Sequence, residues 1–347
     1  MKGSRKNQTI MTLLKGRTFF VLALLILFFA IKSPSFLRPT SVISVVRHVS
    51  LYGILGVGMT FIIITGGIDL SVGSVVGLTG MIAGGLIYQG LTLAPFGVTL
   101  YFNVPAIILI SIVLGALIGM VNGLIITKCS VAPFIATLGM MYVARGAAML
   151  RSNGATFQNI AGHEALGNTG FNSIGGSVGP IPNVVIVFAI VALFAALILR
   201  FTPLGWHILS VGGNAKASKL SGIKTDKITI LVYMFSGICA SIVGLITTAQ
   251  LTAANPSSGD GWEMNAISAV VLGGTSMSGG VGTIGGTIIG AFVIGVINDG
   301  MIMIGVSEFW QKVIKGIIIV LAVIIDQFQA RLHARMALMQ QSAVAKN

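Results

Sequence analysis

Long apolar segments follow one another along almost the whole chain, and short polar connections separate them. A helix needs about 20 apolar residues to cross the hydrocarbon core of a bilayer. The 347 residues therefore suffice for about ten crossings and leave little room for a separate soluble domain. We expect an all-α membrane protein, a polytopic bundle of about ten transmembrane helices.

The low content of charged side chains supports this expectation. Only 8% of the residues are Asp, Glu, Lys or Arg, whereas a soluble domain carries about 25% because its surface faces water. The 46 glycines interrupt the apolar segments, and small residues let transmembrane helices approach closely. Most of the surface is therefore expected to face lipid.

The apolar segments have cores whose positions can be read along the chain. The segment that begins at Asn265 is too short to span a bilayer alone, so it is either a broken helix or extends back toward Trp262. The predicted cores are residues 18–31, 45–65, 71–88, 104–126, 131–150, 184–199, 228–248, 265–272, 284–304 and 309–325.

The distribution of Lys and Arg predicts the orientation. Residues 1–17 and 200–227 hold five basic residues each, and residues 330–347 hold three. The long connections on the other side, 151–182 and 251–264, hold one between them, Arg151. Because cytoplasmic loops carry the excess of Lys and Arg, we expect both termini to be cytoplasmic.

Several function classes are excluded by missing patterns. The net charge of +13 comes from cations at the ends of apolar segments, not from a basic stripe with aromatics, so no nucleic-acid partner is expected. No phosphate-binding Gly-x-x-x-x-Gly-Lys-[Ser/Thr] loop occurs, and the four histidines show no zinc spacing. Cys129 and Cys239 are interpreted as packing residues. We therefore predict no catalytic residue, no metal and no cofactor.

A short motif occurs twice. GGIDLSVG at residues 66–73 matches GGTSMSGG at residues 273–280, at a constant offset of 207. Transporters are often built from two halves, with broken helices at corresponding positions. The repeat predicts two pseudo-symmetric halves with broken helices, and the count of segments gives the two motifs the same orientation.

Asp69 lies inside the first motif, between two apolar segments and without a neighbouring basic residue. An isolated carboxylate is costly at membrane depth unless it is hydrogen-bonded or hydrated. The glycines before it and Ser71 after it favour a non-helical break that faces a cavity. Alternatively, Asp69 caps a helix that begins near Leu70. The two roles are compatible, and both stay open from the sequence.

Polar residues in other apolar segments extend the set of candidates for a translocation pathway. Asn122 and Asn298 interrupt helical segments, where a hydrogen bond between helices is the ordinary role. Ser276 lies in the second motif. Together with Asp69 and Ser71, these residues are the predicted pathway residues.

The basic connection at residues 200–227 contains a compact helix signal. Asn214 is a favourable N-cap, Ala215–Ser221 a helical stretch of about two turns, and Gly222 a C-terminal stop. A short helix capped at both ends forms a rigid projection, which favours a docking element over an ordinary loop. The predicted docking residues are Gly212, Gly213, Asn214, Ala215, Ala217, Leu220, Ser221 and Gly222.

Four stretches of the sequence resemble the ABC sugar permeases of the ribose, xylose and arabinose type. They are GMTFIIITGGIDLSVGS at 58–74, PFIATLG at 133–139 with Arg145-Gly146, GGNAKASKLSGI at 212–223, and AVVLGGTS at 269–276 with Gly279-Gly280. The motifs occur in the family order, and the likeness spans residues 35–326. Asp69 lies in the first of these stretches, but the resemblance does not assign it a role.

The resemblance implies a permease subunit in the inner membrane of a bacterium. It implies that a periplasmic binding protein delivers a monosaccharide, that a second permease copy completes the pathway in the lipid, and that the predicted helix docks on an ATPase subunit. Residues 1–347 would form a single permease domain with a membrane-spanning core at 18–326, a coupling loop at 200–227 and a cytoplasmic tail at 327–347.

Two other functions stay open at this point. In an ion-coupled secondary transporter, Asp69 would carry the proton or sodium ion. A membrane scaffold or receptor would move no substrate at all. An ABC permease differs from an ion-coupled transporter because its uptake depends on ATP hydrolysis by a partner. It differs from a scaffold or receptor because it moves a solute.

Overall fold

The computed structural model describes residues 18–321, 323 and 324. The predicted cytoplasmic head at 1–17 and the tail at 327–347 lie outside the described residues. The described part is mostly helical. Its α-helices are α1 (Thr18–Lys32), α2 (Pro39–Ile64), α3 (Val72–Tyr88), α4 (Val104–Lys128), α5 (Pro133–Leu150), α6 (Asn183–Phe201), α7 (Pro203–Gly213), α8 (Ala215–Leu220), α9 (Thr225–Leu251), α10 (Trp262–Leu272), α11 (Ile284–Met303) and α12 (308–321).

Length and composition together test the predicted number of membrane spans in the described part of the chain. Within the described residues, six helices are long and apolar enough to cross a membrane: α2, α4, α5, α6, α9 and α11. The helices α1, α3 and α10 are apolar but shorter. The predicted count of about ten crossings is therefore not confirmed, although the multi-pass helical architecture is.

Three short antiparallel ribbons join the described helices. β1 (Leu91–Leu93) pairs with β2 (Val98–Leu100), and β4 (Ser177–Val178) pairs with β5 (Ile181–Pro182). β3 (Phe157–Gln158) pairs with β6 (Ala253–Ala254) and so attaches the connection after α5 to the end of α9. Arg145 of α5 donates to the carbonyl oxygens of Pro256 and Ser258, at 2.5 and 3.0 Å. These contacts fold residues 252–261 back toward α5.

The helix α9 lies at the centre of the bundle, against α2, α3 and α4. The contact with α4 is close because glycines repeat every four residues on α4, at positions 115, 119 and 123, and each meets backbone atoms of α9. This spacing puts small residues on one helix face, where they permit close backbone approach. The sequence therefore fixes one face of α4 against the core and leaves the opposite face for lipid.

Two non-helical segments interrupt the bundle at the positions of the repeated motif. We call residues 65–71, between α2 and α3, the first break, and residues 273–283, between α10 and α11, the second break. The helix α11 runs antiparallel to α10, because Gly290 meets Ala269 and Gly286 meets Gly273. Both breaks lie at the same end of the bundle, where the amide of Gly280 donates to the carbonyl oxygen of Ile64 at 2.8 Å.

Candidate functional site

The first break is organised around a buried carboxylate. Asp69 is 2% exposed. Its Oδ1 accepts the Ser71 hydroxyl at 2.6 Å and the Ser71 amide at 2.8 Å. The Oγ of Ser236, on α9, lies 3.5 Å from Oδ2. Three donors thus offset part of the cost of removing the carboxylate from water.

Asp69 is not the N-cap of the next helix. The helix α3 begins at Val72 and its N-cap is Ser71, so Asp69 precedes the cap by two residues. The bond from the Ser71 amide to the Asp69 side chain makes a local turn of the Asx type instead. The alternative in which Asp69 caps a helix near Leu70 is therefore replaced by a turn that leads into the helix.

Asn122 joins the same network. Its Nδ2 donates to the Ser71 Oγ at 3.0 Å, and the residue is fully buried. The structure thus brings together three of the predicted pathway residues, Asp69, Ser71 and Asn122. Because each of them is at most 2% exposed, the network fixes the shape of the first break in this conformation.

The other two predicted pathway residues lie elsewhere. Ser276 belongs to the second break, where its amide donates to Val281 O at 3.0 Å and its Oγ lies 3.3 Å from the amide of Ser278. Asn298 lies on α11 and is 4% exposed. It lines a cavity of about 550 Å³ whose other walls come from α2, α10 and α12 and include Tyr52, Trp262, Asn265 and Gln311.

Two residues of the Asp69 network were not predicted from the sequence. Ser236 contacts the carboxylate, and the Tyr233 hydroxyl donates to Ile68 O at 3.1 Å. Both lie on α9, three residues apart, and therefore on one helix face. Polar side chains at this spacing within an apolar segment are the signal that indicates a buried polar contact.

The predicted docking helix is present as α8. The Asn214 Oδ1 accepts the amide of Ala217 at 3.0 Å, as an N-cap does. At the other end, the Gly222 amide donates to Lys219 O at 3.1 Å and the Ile223 amide to Ser218 O at 3.0 Å. Gly222 has φ +87°, so these two bonds form a Schellman motif. The helix ends at Leu220, one residue before the predicted end, because Ser221 is the C-cap.

The helix α8 projects from the bundle. Of its six residues, Ser218 is buried and the other five are exposed. Leu220 is 90% exposed, which is unusual for a leucine at the tip of a rigid helix. An exposed apolar side chain on a capped helix is suited to insertion into a groove of a partner.

The connection at 200–227 also contains a helix that was not predicted. The helix α7 begins with Pro203, and the Thr202 Oγ1 lies 3.3 Å from the amide of Gly205. A Thr N-cap followed by Pro at the first helical position is a recognisable start signal. The helix buries Ile208 and Val211 against the bundle, so α8 is held on a packed element and not on a flexible loop.

The end of α7 contacts the end of α2 and the second break. A Cβ atom on Gly212 would overlap the carbonyl oxygen of Ile64, the last residue of α2. Gly280 of the second break packs against the backbone of Gly213 and donates to the same Ile64 carbonyl. We call this contact of Ile64, Gly212 and Gly280 the glycine junction. It connects α7, which leads into α8, to the second break and to the end of α2, where the first break begins.

Comparison with known proteins gives the class of this molecule. Residues 41–323 match the family described as "Branched-chain amino acid transport system / permease component". The chain belongs to this permease family. The permease is therefore the non-enzymatic membrane component of a transport system, a multi-pass protein whose described part has six helices apolar and long enough to span a membrane.

Individual relatives match the permease over almost its whole length. The ribose import permease protein of Bacillus subtilis (strain 168) is 40% identical over 89% of this chain and 91% of its own length. The protein of the same name from Escherichia coli (strain K12) is 39% identical over 93% and 96%. The L-arabinose ABC transporter permease protein of Azospirillum brasilense is 33% identical over 90% and 88%. No solved structure matches the permease.

Proposed function

We propose that this permease imports a monosaccharide, a pentose or a related sugar, through the inner membrane of a bacterium. A periplasmic binding protein delivers the sugar, and ATP hydrolysis on a separate ATPase subunit drives its passage. The observation that carries the proposal is the identity of 33–40% with the ribose and L-arabinose permeases over about nine tenths of each chain. The motifs of the sequence and the exposed α8 agree with it.

The family description raises branched-chain amino acids as a second substrate class. The relatives named above favour sugars, so reconstitution decides between the two. The permease, an ATPase subunit and a sugar-binding protein from the same organism are reconstituted in liposomes, with ATP supplied to the ATPase side. We expect ATP-dependent uptake of labelled ribose, xylose or arabinose and none of labelled leucine. Uptake of leucine by the same reconstituted system, or no uptake of any solute, would contradict the proposal.

We propose that two permease copies form the pathway, with α8 and both termini on the cytoplasmic side. The excess of Lys and Arg at residues 1–17, 200–227 and 330–347 supports this orientation. The two breaks, which lie at the same end of the bundle, support a two-half architecture. Passage is then an alternation between inward-open and outward-open states, driven by closure of the ATPase.

Within this scheme, α8 receives the motion of the ATPase and the glycine junction transmits it. Because Gly212 and Gly280 both contact the end of α2, displacement of α7 moves both breaks together. The candidate pathway residues Asp69, Ser71, Asn122, Ser276 and Asn298 lie on or beside the elements that would move. A neutral sugar requires no counter-charge, so polar amides and hydroxyls suffice along its path.

Replacement of Asp69 by Asn separates this mechanism from ion-coupled transport. The Asn carboxamide keeps one oxygen that can accept from Ser71, so the first break keeps its turn. We expect uptake to retain at least about a third of its rate, because the lost charge-assisted hydrogen bond is local, and to resist an uncoupler in ATP-loaded liposomes. Collapse of uptake in both the wild-type protein with uncoupler and the Asn variant would identify Asp69 as an ion carrier.

A further inference from the structure

A basic cavity lies beside α8. It has a volume of about 630 Å³ and is placed between the end of α4 and the beginning of α9. Four lysines and one aspartate line it, which gives a local net charge of +3. The charged lining residues are Lys128, Lys219, Lys224, Lys227 and Asp226.

The single carboxylate of the cavity is already paired. Asp226 accepts from the Lys128 Nζ at 2.8 Å. Among the described residues, the ion pairs of the chain do not include Lys219, Lys224 or Lys227, and these three side chains are exposed. The cavity therefore presents ammonium groups that can bind an anion without first breaking an ion pair.

One wall of the cavity, toward the body of α9, is apolar. Ile223, Ile230 and Leu231 line it, and the last two belong to the first two turns of the span α9. The helix α4 ends at Lys128, so the cations lie at the ends of two candidate spans. A ligand that fits must combine a compact anionic group with an apolar part that extends along the helices.

We propose that this cavity binds the phosphate headgroup of an anionic phospholipid, with its acyl chains along α4 and α9. Basic pockets between membrane helices at the cytoplasmic side are suited to such headgroups. A free phosphate ion would leave the apolar wall without a partner. The choice of leaflet rests on the proposed orientation, and the effect on coupling rests on the proposed docking of α8, whereas the binding chemistry of the cavity is independent of the transported solute.

The lipid would also contact the coupling element. Lys219 lies on α8, and Gly222 forms the Schellman motif that ends it. A bound headgroup would hold this end of α8 against α9. Anionic lipid is thus expected to raise the coupling of ATP hydrolysis to uptake as well as to bind.

The test measures binding of fluorescent phosphatidylglycerol to the purified full-length permease in detergent. The double variant Lys224→Ala/Lys227→Ala is compared with the matched double variant Lys32→Ala/Lys216→Ala, which removes two exposed lysines outside the cavity. We expect binding to weaken about thirtyfold in the first and less than about threefold in the second. Equal weakening in both variants, or no weakening, would overturn the proposal.

Competition identifies the ligand. Unlabelled phosphatidylglycerol should displace the probe, whereas phosphatidylcholine and millimolar inorganic phosphate should not. Displacement by inorganic phosphate would identify a free-anion site. If the cavity variant keeps lipid binding but loses association with the ATPase subunit, the surface belongs to the protein interface and the proposal fails. Absence of sugar uptake by a wild-type permease that binds phosphatidylglycerol would count against the proposed function alone.

Discussion

A glutamate at position 217 is expected to abolish sugar uptake while the permease still folds and inserts. Ala217 is exposed on α8, and its amide donates to the Asn214 side chain. Glu at this position completes a capping box and interacts favourably with the helix dipole, so the substitution does not destabilise α8. If α8 docks on the ATPase as proposed, the same charge enters that interface, where an unpaired buried carboxylate costs about 2–5 kcal/mol.

The result is measured as ATP-driven uptake and as association of the ATPase subunit with the permease. We expect both to fall at least about thirtyfold for Ala217→Glu. The matched control is Ala217→Ser, which adds a small neutral group at the same exposed site and should keep both near the wild-type level. Normal uptake by the Glu variant would contradict docking through α8.

The sequence predicted α8 well because its signals are local. Asn214 and Gly222 act on backbone groups at most four residues away, and such caps can be read from the order of residues alone. The breaks were predicted for the same reason, since runs of glycine interrupt the apolar segments at 66–73 and 273–280. The ends of α2 and α10, at Ile64 and Leu272, agree with those runs.

Contacts between distant parts of the chain could not be predicted in this way. The His48 Nδ1 lies 2.8 Å from an oxygen of Asp299, although 251 residues separate them. Ser236 joins Asp69 across 167 residues. Both pairs depend on which helices pack together, and the period of apolar residues does not specify a neighbour when lipid-facing and protein-facing sides are equally apolar.

The predicted number of about ten spans is not confirmed for a related reason. Apolar composition identifies segments that can be buried in lipid or protein, but the length of the helix decides whether it spans the bilayer as one continuous helix. The helix α3 has 17 residues and α10 has 11. Each adjoins one of the breaks, where the backbone leaves the helix inside the protein and finds partners there, as Asp69 and Ser71 show.

The glycine junction is the part of the mechanism that a single methyl group tests most directly. Gly212 and Gly213 are neighbours at the end of α7, but their surroundings differ. A Cβ atom on Gly212 would overlap the Ile64 carbonyl oxygen, whereas one on Gly213 would meet no atom within 4 Å. The substitution Gly212→Ala therefore forces α7 away from α2 and disturbs the bond from the Gly280 amide to Ile64 O, at a cost of at least about 1–3 kcal/mol.

We expect Gly212→Ala to reduce sugar uptake at least about tenfold, and Gly213→Ala to leave it unchanged within a factor of about two. Because α8 and its caps are intact in both variants, ATPase association should persist, so the ATPase bound to the Gly212 variant should hydrolyse ATP without stimulation by the loaded binding protein. Purification yield and the temperature of unfolding show whether the variant folds. A folded Gly212 variant with normal uptake would mean that motion of α8 reaches the breaks by another route.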